Sequence, residues 1–140
     1  MSLLKILIFP DTRLRTVADP IESVDSSIKK LSQDMLETMY AGNGVGLAAT
    51  QVNIHKRLVV VDVSEEKNNP LILLNPEVEI LNFEKKKMYA EGCLSVPGFY
   101  EEIERPNTIK VRATSIEGKK MNLKAEGMKS VVLQHEIDHL

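Results

Sequence analysis

Met128-Lys129-Ser130-Val131-Val132-Leu133-Gln134-His135-Glu136-Ile137-Asp138-His139 closes the 140-residue chain but for one residue, Leu140. The spacing predicts a helix over 126–140. Its apolar members, Met128, Val131, Val132 and Leu133, mark it for burial. His135 and His139 stand four residues apart, so both imidazoles leave one helical face and can reach one metal ion. Glu136 sits beside the first of them, where a carboxylate can act on water held at the metal. Glu136 and Asp138 also bring charge onto an otherwise apolar helix. Burying such groups is costly without a partner, and a divalent cation is one. The competing reading is a buried helix with two hydrogen-bonded core histidines. The scarcity of histidine, with only His55 elsewhere, weighs against it.

Outward from that helix, the rest of the chain reads mainly as strands. Arg57-Leu58-Val59-Val60-Val61-Asp62-Val63 is short and β-branched, as a strand covered on both faces would be. The segment 64–70 is a polar loop. Leu71-Ile72-Leu73-Leu74 is a second buried strand, closed by Asn75-Pro76, and 77–83 is a third. Ile109, Val111 and Ala113 alternate with polar residues, as do Met121, Leu123 and Ala125. Glu117-Gly118 between them predicts a hairpin turn. One earlier helix is expected over 25–41, with Ile28, Leu31, Met35, Leu36 and Met39 on one face and Gly42 placed to stop it. The strands cluster instead of alternating with helices, so the class is α+β.

The composition fits one globular domain, 1–140, with 43% hydrophobic and 27% charged residues. No apolar run approaches the roughly 20 residues needed to cross a bilayer. The opening MSLLKILIFPDTR has too short an apolar run, and no small-residue cleavage site, for a secretory signal. A net charge of −2 gives no field to hold a polyanion, so neither nucleic acid nor membrane is an expected partner. Cys93 is the lone cysteine and cannot pair within the chain, which suits a reducing cytoplasm.

A catalytic metal site needs a third protein ligand and an open position. Cys93 in Glu91-Gly92-Cys93-Leu94-Ser95 is the candidate. A lone cysteine is more often a small buried hydrophobe. Here the preceding glycine and the following Pro97-Gly98 predict a constrained turn in place of a strand interior. The other candidate segment is Gly44-Val45-Gly46-Leu47-Ala48-Ala49-Thr50-Gln51. Its glycines follow a helix, not a strand, and their spacing is wrong for a phosphate loop, which excludes nucleotide binding. It can be merely a helix stop and turn, or small residues that let another backbone come close, as a bound peptide requires.

Taken together, these segments resemble the peptide deformylase family. That family is marked by G-x-G-L-A-A-x-Q, E-G-C-L-S and Q-H-E-x-D-H. The chain carries them at 44–51, 91–95 and 134–139, in that order, and Phe9-Pro10-Asp11-Thr12-Arg13-Leu14-Arg15 resembles the family's N-terminal turn. The resemblance implies mixed or antiparallel β-sheets packed around a central metal-binding helix. It implies that Cys93, His135 and His139 hold one divalent ion, Fe2+ natively, with Ni2+, Co2+ or Zn2+ as substitutes. Donor chemistry alone permits all four. Glu136 is then the proton carrier, and Gln51 and the backbone N–H of Leu94 donate to the oxyanion, with Gly46 in the same wall. Gly44, Val45, Glu91 and Gly92 would line the substrate cleft, Glu91 also orienting the site. Met128, Val131 and Val132, with Tyr89, would wall a methionine pocket. The implied substrates are N-formylmethionyl peptides, nascent chains at the ribosome, which add as a strand along Val45 and Gly46.

Two other readings follow from the same residues. A general zinc endopeptidase would need a histidine or glutamate ligand further downstream. A metal-stabilised domain without activity is the second, because members of the family normally continue past the second histidine. The chain is therefore expected to lack the usual C-terminal continuation and to lean on the metal to hold its last helical turn.

Overall fold

The computed structural model describes residues 3–8, 11–64, 66, 68–80, 86–93, 95–106 and 108–140. For Ile80, 86–93, 96–106 and Met128 it describes the backbone alone. After a short 3-10 turn at Thr12–Arg15, the elements are α1 (Ser26–Ala41), β1 (Gly46–Ala48) and a 3-10 turn at Ala49–Val52. Then come β2 (Leu58–Val61), β3 (Leu71–Ile80), β4 (Lys86–Cys93), β5 (Val96–Pro106), β6 (Thr108–Thr114), β7 (Lys120–Glu126) and α2 (Gly127–Asp138). Among the described residues, no helix is long and apolar enough to cross a membrane.

Five strands form one antiparallel sheet in the order β1-β2-β3-β6-β7, and β4 pairs with β5 separately. The period of two decides what each face carries. Leu58 and Val60 of β2, with Leu47 and Leu74, meet Ile28, Met35, Leu36 and Met39 of α1. Val59 and Val61, with Ala48, Leu73, Ile109, Val111 and Ala125, meet Val132 and Leu133 of α2. A helix thus covers each face, which is why β2 reads as an unbroken apolar run. The α+β class is as expected.

Local chemistry explains the boundaries. Asp25 accepts from Ile28 N at 3.0 Å and caps α1. Gly42 ends it by donating to Thr38 O, and Asn43 takes the left-handed conformation at φ 56°. The strands expected at 71–74 and 77–83 are one strand through residue 80, with 81–85 outside the described residues. Asn75 and Pro76 do not close it. They form an irregularity between Leu74 and Glu77, with Asn75 at φ 51°. Pro76 has no N–H to give the ladder, so the strand shifts register there and continues beside β6. The hairpin of β6 and β7 turns through Gly118 at φ 82°, as its sequence predicts.

The turn expected around Cys93 is present, but it lies at Ser95, ahead of Pro97 and Gly98. Cys93 is the last residue of β4, paired with Val96, and Pro97 and Gly98 lie within β5. The ladder steps from Gly92–Tyr100 to Cys93–Val96, so 97–99 are extra residues on β5. Proline is tolerated in a strand at such an irregularity.

Behind β1 lies a buried polar knot. Asp62 is 2% exposed and accepts from Tyr40 OH, from Ser64 Oγ and N, and from Asn69 N. Burial pushes its carboxyl up, but these hydrogen bonds outweigh burial and hold it below the usual range. Tyr40 is pushed up to about 12, by burial first and then by Asp62. Tyr40 raised in the folded state stabilises fully below its unfolded value of about 10 and loses that as pH climbs to about 12. Asp62, depressed, stabilises above about 4 and loses it as pH falls through its folded value. Tyr40→Phe should therefore cost about 1.5 kcal/mol at neutral pH. In urea melts, that gap should close between about pH 10 and about 12. A gap constant across that range would mean the Tyr40–Asp62 bond does not hold the fold.

Candidate active site

The site is assembled from α2, the segment running from Gly44 into the turn after β1, and the tip of the β4–β5 hairpin. Gly127, at φ 62°, allows the abrupt passage from β7 into α2. The helix then crosses the sheet face away from α1, with Val132 and Leu133 anchored in the core. This leaves His135 and His139 on a neighbouring face. Their Nε2 atoms converge to 3.2 Å, with ring centroids 4.9 Å apart and planes at 70°. Two nitrogens at about 2.0–2.1 Å from one tetrahedral ion would be separated by about 3.4 Å. The histidine pair fits a metal ion. Among the described residues no group of three potential ligands occurs, and the side chain of Cys93 lies outside them.

Glu136, 5% exposed, is held against β1. A Cβ placed on Gly46 would come within 2.7 Å of Glu136 Cγ and 2.9 Å of its Oε1. Only a residue without a side chain lets strand and carboxylate approach this closely. The small-residue reading of 44–51 is thus realised at Gly46. Val45, 38% exposed, immediately precedes β1, the outer strand of the sheet, and Asp62 N donates to its carbonyl at 2.8 Å.

Gln51 is 1% exposed and sits in the 3-10 turn after β1. Its Oε1 accepts from Ala48 N at 2.9 Å and its Nε2 donates to Ser95 Oγ at 3.1 Å. Its carbonyl accepts from Leu7 N at 2.7 Å, tying the N-terminal segment to the site. Val131 is buried, 4% exposed, one turn before His135, and Val132 also serves the core. Gly44 donates to Met39 O at the end of α1. Glu91 and Gly92 are placed in β4 by their backbones, paired with Glu101 and Tyr100, and Met128 lies in the first turn of α2. The expectation for Leu94 lies outside the described residues, as do those for the side chains of Tyr89, Glu91 and Met128.

Sequence reasoning gave Ser95 no role, although it stands two residues after Cys93 in the same motif. It also overlooked the Asp62 knot, whose members are scattered over 40–69. Neither pattern has a local signature.

The geometry agrees with what the chain is similar to. The sequence profile described as polypeptide deformylase matches residues 3–140. The peptide deformylase of Azotobacter vinelandii is 58% identical over 140 residues, covering 100% of this chain and 83% of that protein. That of Cellvibrio japonicus is 58% identical and is covered over 82% of its length. A crystal structure of peptide deformylase from Ehrlichia chaffeensis in complex with actinonin superposes with a TM-score of 0.94 at 44% identity, covering 100% of this chain and 84% of that one. The Thermotoga maritima enzyme gives 0.93 at 40% identity, covering 99% and 91%. These likenesses favour the deformylase expectation over a general zinc endopeptidase. By profile, by sequence and by fold, the chain belongs to the polypeptide deformylase family.

Proposed function

We propose that this chain hydrolyses the formamide at the amino terminus of N-formylmethionyl polypeptides, releasing formate and a free amine, in the cleft between α2 and the 44–51 segment. What supports this reading is the pair of converging imidazoles on α2, the carboxylate of the same helix pressed on Gly46, and the Gln51 amide bonded to Ser95, two residues after Cys93. Cys93, His135 and His139 would hold one divalent ion, which we propose is iron(II). A thiolate with two imidazoles also suits nickel, cobalt and zinc. When bound, the ion supplies Lewis-acid polarisation of the formyl oxygen and makes water easier to deprotonate.

The remaining work falls to the chain's own groups. Glu136 accepts a proton from the attacking water and returns it to the departing amine nitrogen, so one carboxylate serves both steps. Gln51 Nε2 and the backbone N–H of Leu94 donate to the oxygen on which negative charge develops. The peptide adds as a strand along Val45 and Gly46, a mode that reads backbone and little sequence. Met128, Val131 and Val132 would wall a pocket for the methionine side chain, and Glu91 and Gly92 would also serve substrate binding. Substrates of this kind are nascent chains at the ribosome, which places the activity in the cytoplasm.

Three variants test the assignment. Cys93→Ala should lose most of its bound metal, measured by elemental analysis on anaerobically purified protein; stoichiometric metal in that variant excludes Cys93 as a ligand. Glu136→Gln keeps shape and metal but loses the base, and formate release should drop by about 10²–10⁴-fold. Turnover near wild type would assign the proton to another group. Gly46→Ala forces Glu136 aside and should cost on the order of 10²-fold in kcat and about 1–3 kcal/mol of stability. Full activity there would mean that the Gly46–Glu136 contact does not set the carboxylate.

A further inference from the structure

The Gln51 amide has two chemically different ends, and the structure constrains both. Ala48 N–H can only donate, so the end facing it at 2.9 Å must be the carbonyl oxygen. This is the return half of a capping box, in which a side chain at the third position of the turn accepts from the residue that begins it. The NH2 end therefore points away from the backbone turn. There it meets Ser95 Oγ at 3.1 Å. Ser95 is 1% exposed and 44 residues distant in sequence, in the turn that joins Cys93 to β5.

The contact to Ala48 N holds only the oxygen end of the amide. Terminal torsions of glutamine are broad and only weakly self-ordering. A second anchor at the other end fixes the amide plane. The hydroxyl is suited to this because it is small, fits a buried turn, and can accept from an N–H while donating elsewhere. It also joins two separate parts of the site, the segment of β1 and the hairpin that carries Cys93.

We propose that Ser95 is a positioning residue for the deformylation reaction, holding the Gln51 side-chain amide in the orientation from which it donates to the developing oxyanion. The inference rests on the role given to Gln51 above. Ser95 does not touch the reacting atoms. Its effect is on how well a donor is aimed, and aim matters most where charge develops, in the transition state. Loss of the hydroxyl should lower kcat and leave KM nearly unchanged.

The test is a double-mutant cycle on metal-loaded protein, with metal content measured for each variant. Gln51→Ala should lose about 10²–10³-fold in kcat. Ser95→Ala should lose about tenfold, with KM within about twofold and metal content unchanged, because the donor is misaimed but present. Added to Gln51→Ala, the Ser95→Ala change should cost nothing further. Ser95→Thr, which keeps the hydroxyl, should restore most of the rate. A readout independent of turnover is the Gln51 side-chain NH2 signal of 15N-labelled, zinc-loaded protein. It should shift in Ser95→Ala and not in Ser95→Thr. An unchanged kcat in Ser95→Ala beside a crippled Gln51→Ala overturns the inference and spares the role of Gln51. Full activity in Gln51→Ala overturns both. Equal losses from Ser95→Ala in the two backgrounds, or loss of metal, make Ser95 a purely structural residue and overturn the inference.

Discussion

The arrangement of this protein depends on one close approach, that of the Gly46 backbone to the side chain of Glu136. The helix carrying the two histidines lies against the outer strand of the main sheet, and its carboxylate fills the space where a side chain would stand on that strand. A methyl group at position 46 would force the two apart by a few tenths of an ångström or more. The same contact sets the height of Glu136 over the strand edge and, through the rigid helix, the position of His135 and His139. Fold and chemistry meet at a residue whose contribution is the absence of atoms.

Everything that keeps β1 in place therefore serves the site. Two helices cover the two faces of the sheet, and β1 lies between their ends, with Leu47 facing α1 and Ala48 facing α2. From behind, Asp62 donates its backbone N–H to Val45 O while its carboxylate gathers Tyr40, Ser64 and Asn69. A buried carboxylate with four donors is rigid, because releasing any one of them leaves charge under-solvated in a place water does not reach. An edge strand is ordinarily the mobile margin of a sheet. Here it is braced from both faces and by its pairing with β2, and among the described residues no further strand pairs with it.

The local signals in the chain were strong wherever one element settled its own form. The apolar run of β2, the stop at Gly42 and the turn at Gly118 are visible in the residues because each reflects a few neighbouring torsions. The pair at His135 and His139 is legible for the same reason, since four residues along a helix always return to one face. Two readings failed where context outweighed local preference. Asn75-Pro76 reads as a strand end, yet Asn75 clamps Ile21 through both ends of its amide, at 2.7 Å each, and the strand passes through the irregularity. Pro97-Gly98 reads as part of the turn after Cys93, yet the chain turns at Ser95 and crosses Pro97 and Gly98 in extended form within β5.

What the sequence by itself determined was the list of candidate residues, and that two of them share a helical face. Spacing along one element is enough for that, because backbone periodicity is a local property. Only the tertiary structure decided that Glu136 rests on Gly46, 90 residues away along the chain. It alone joined Gln51 to Ser95, and tied a buried aspartate to the residue that leads into β1. Those contacts arise from strand order and from the packing of a helix across a sheet. Their energy depends on the distance between groups that share no local pattern, so no window of sequence contains them.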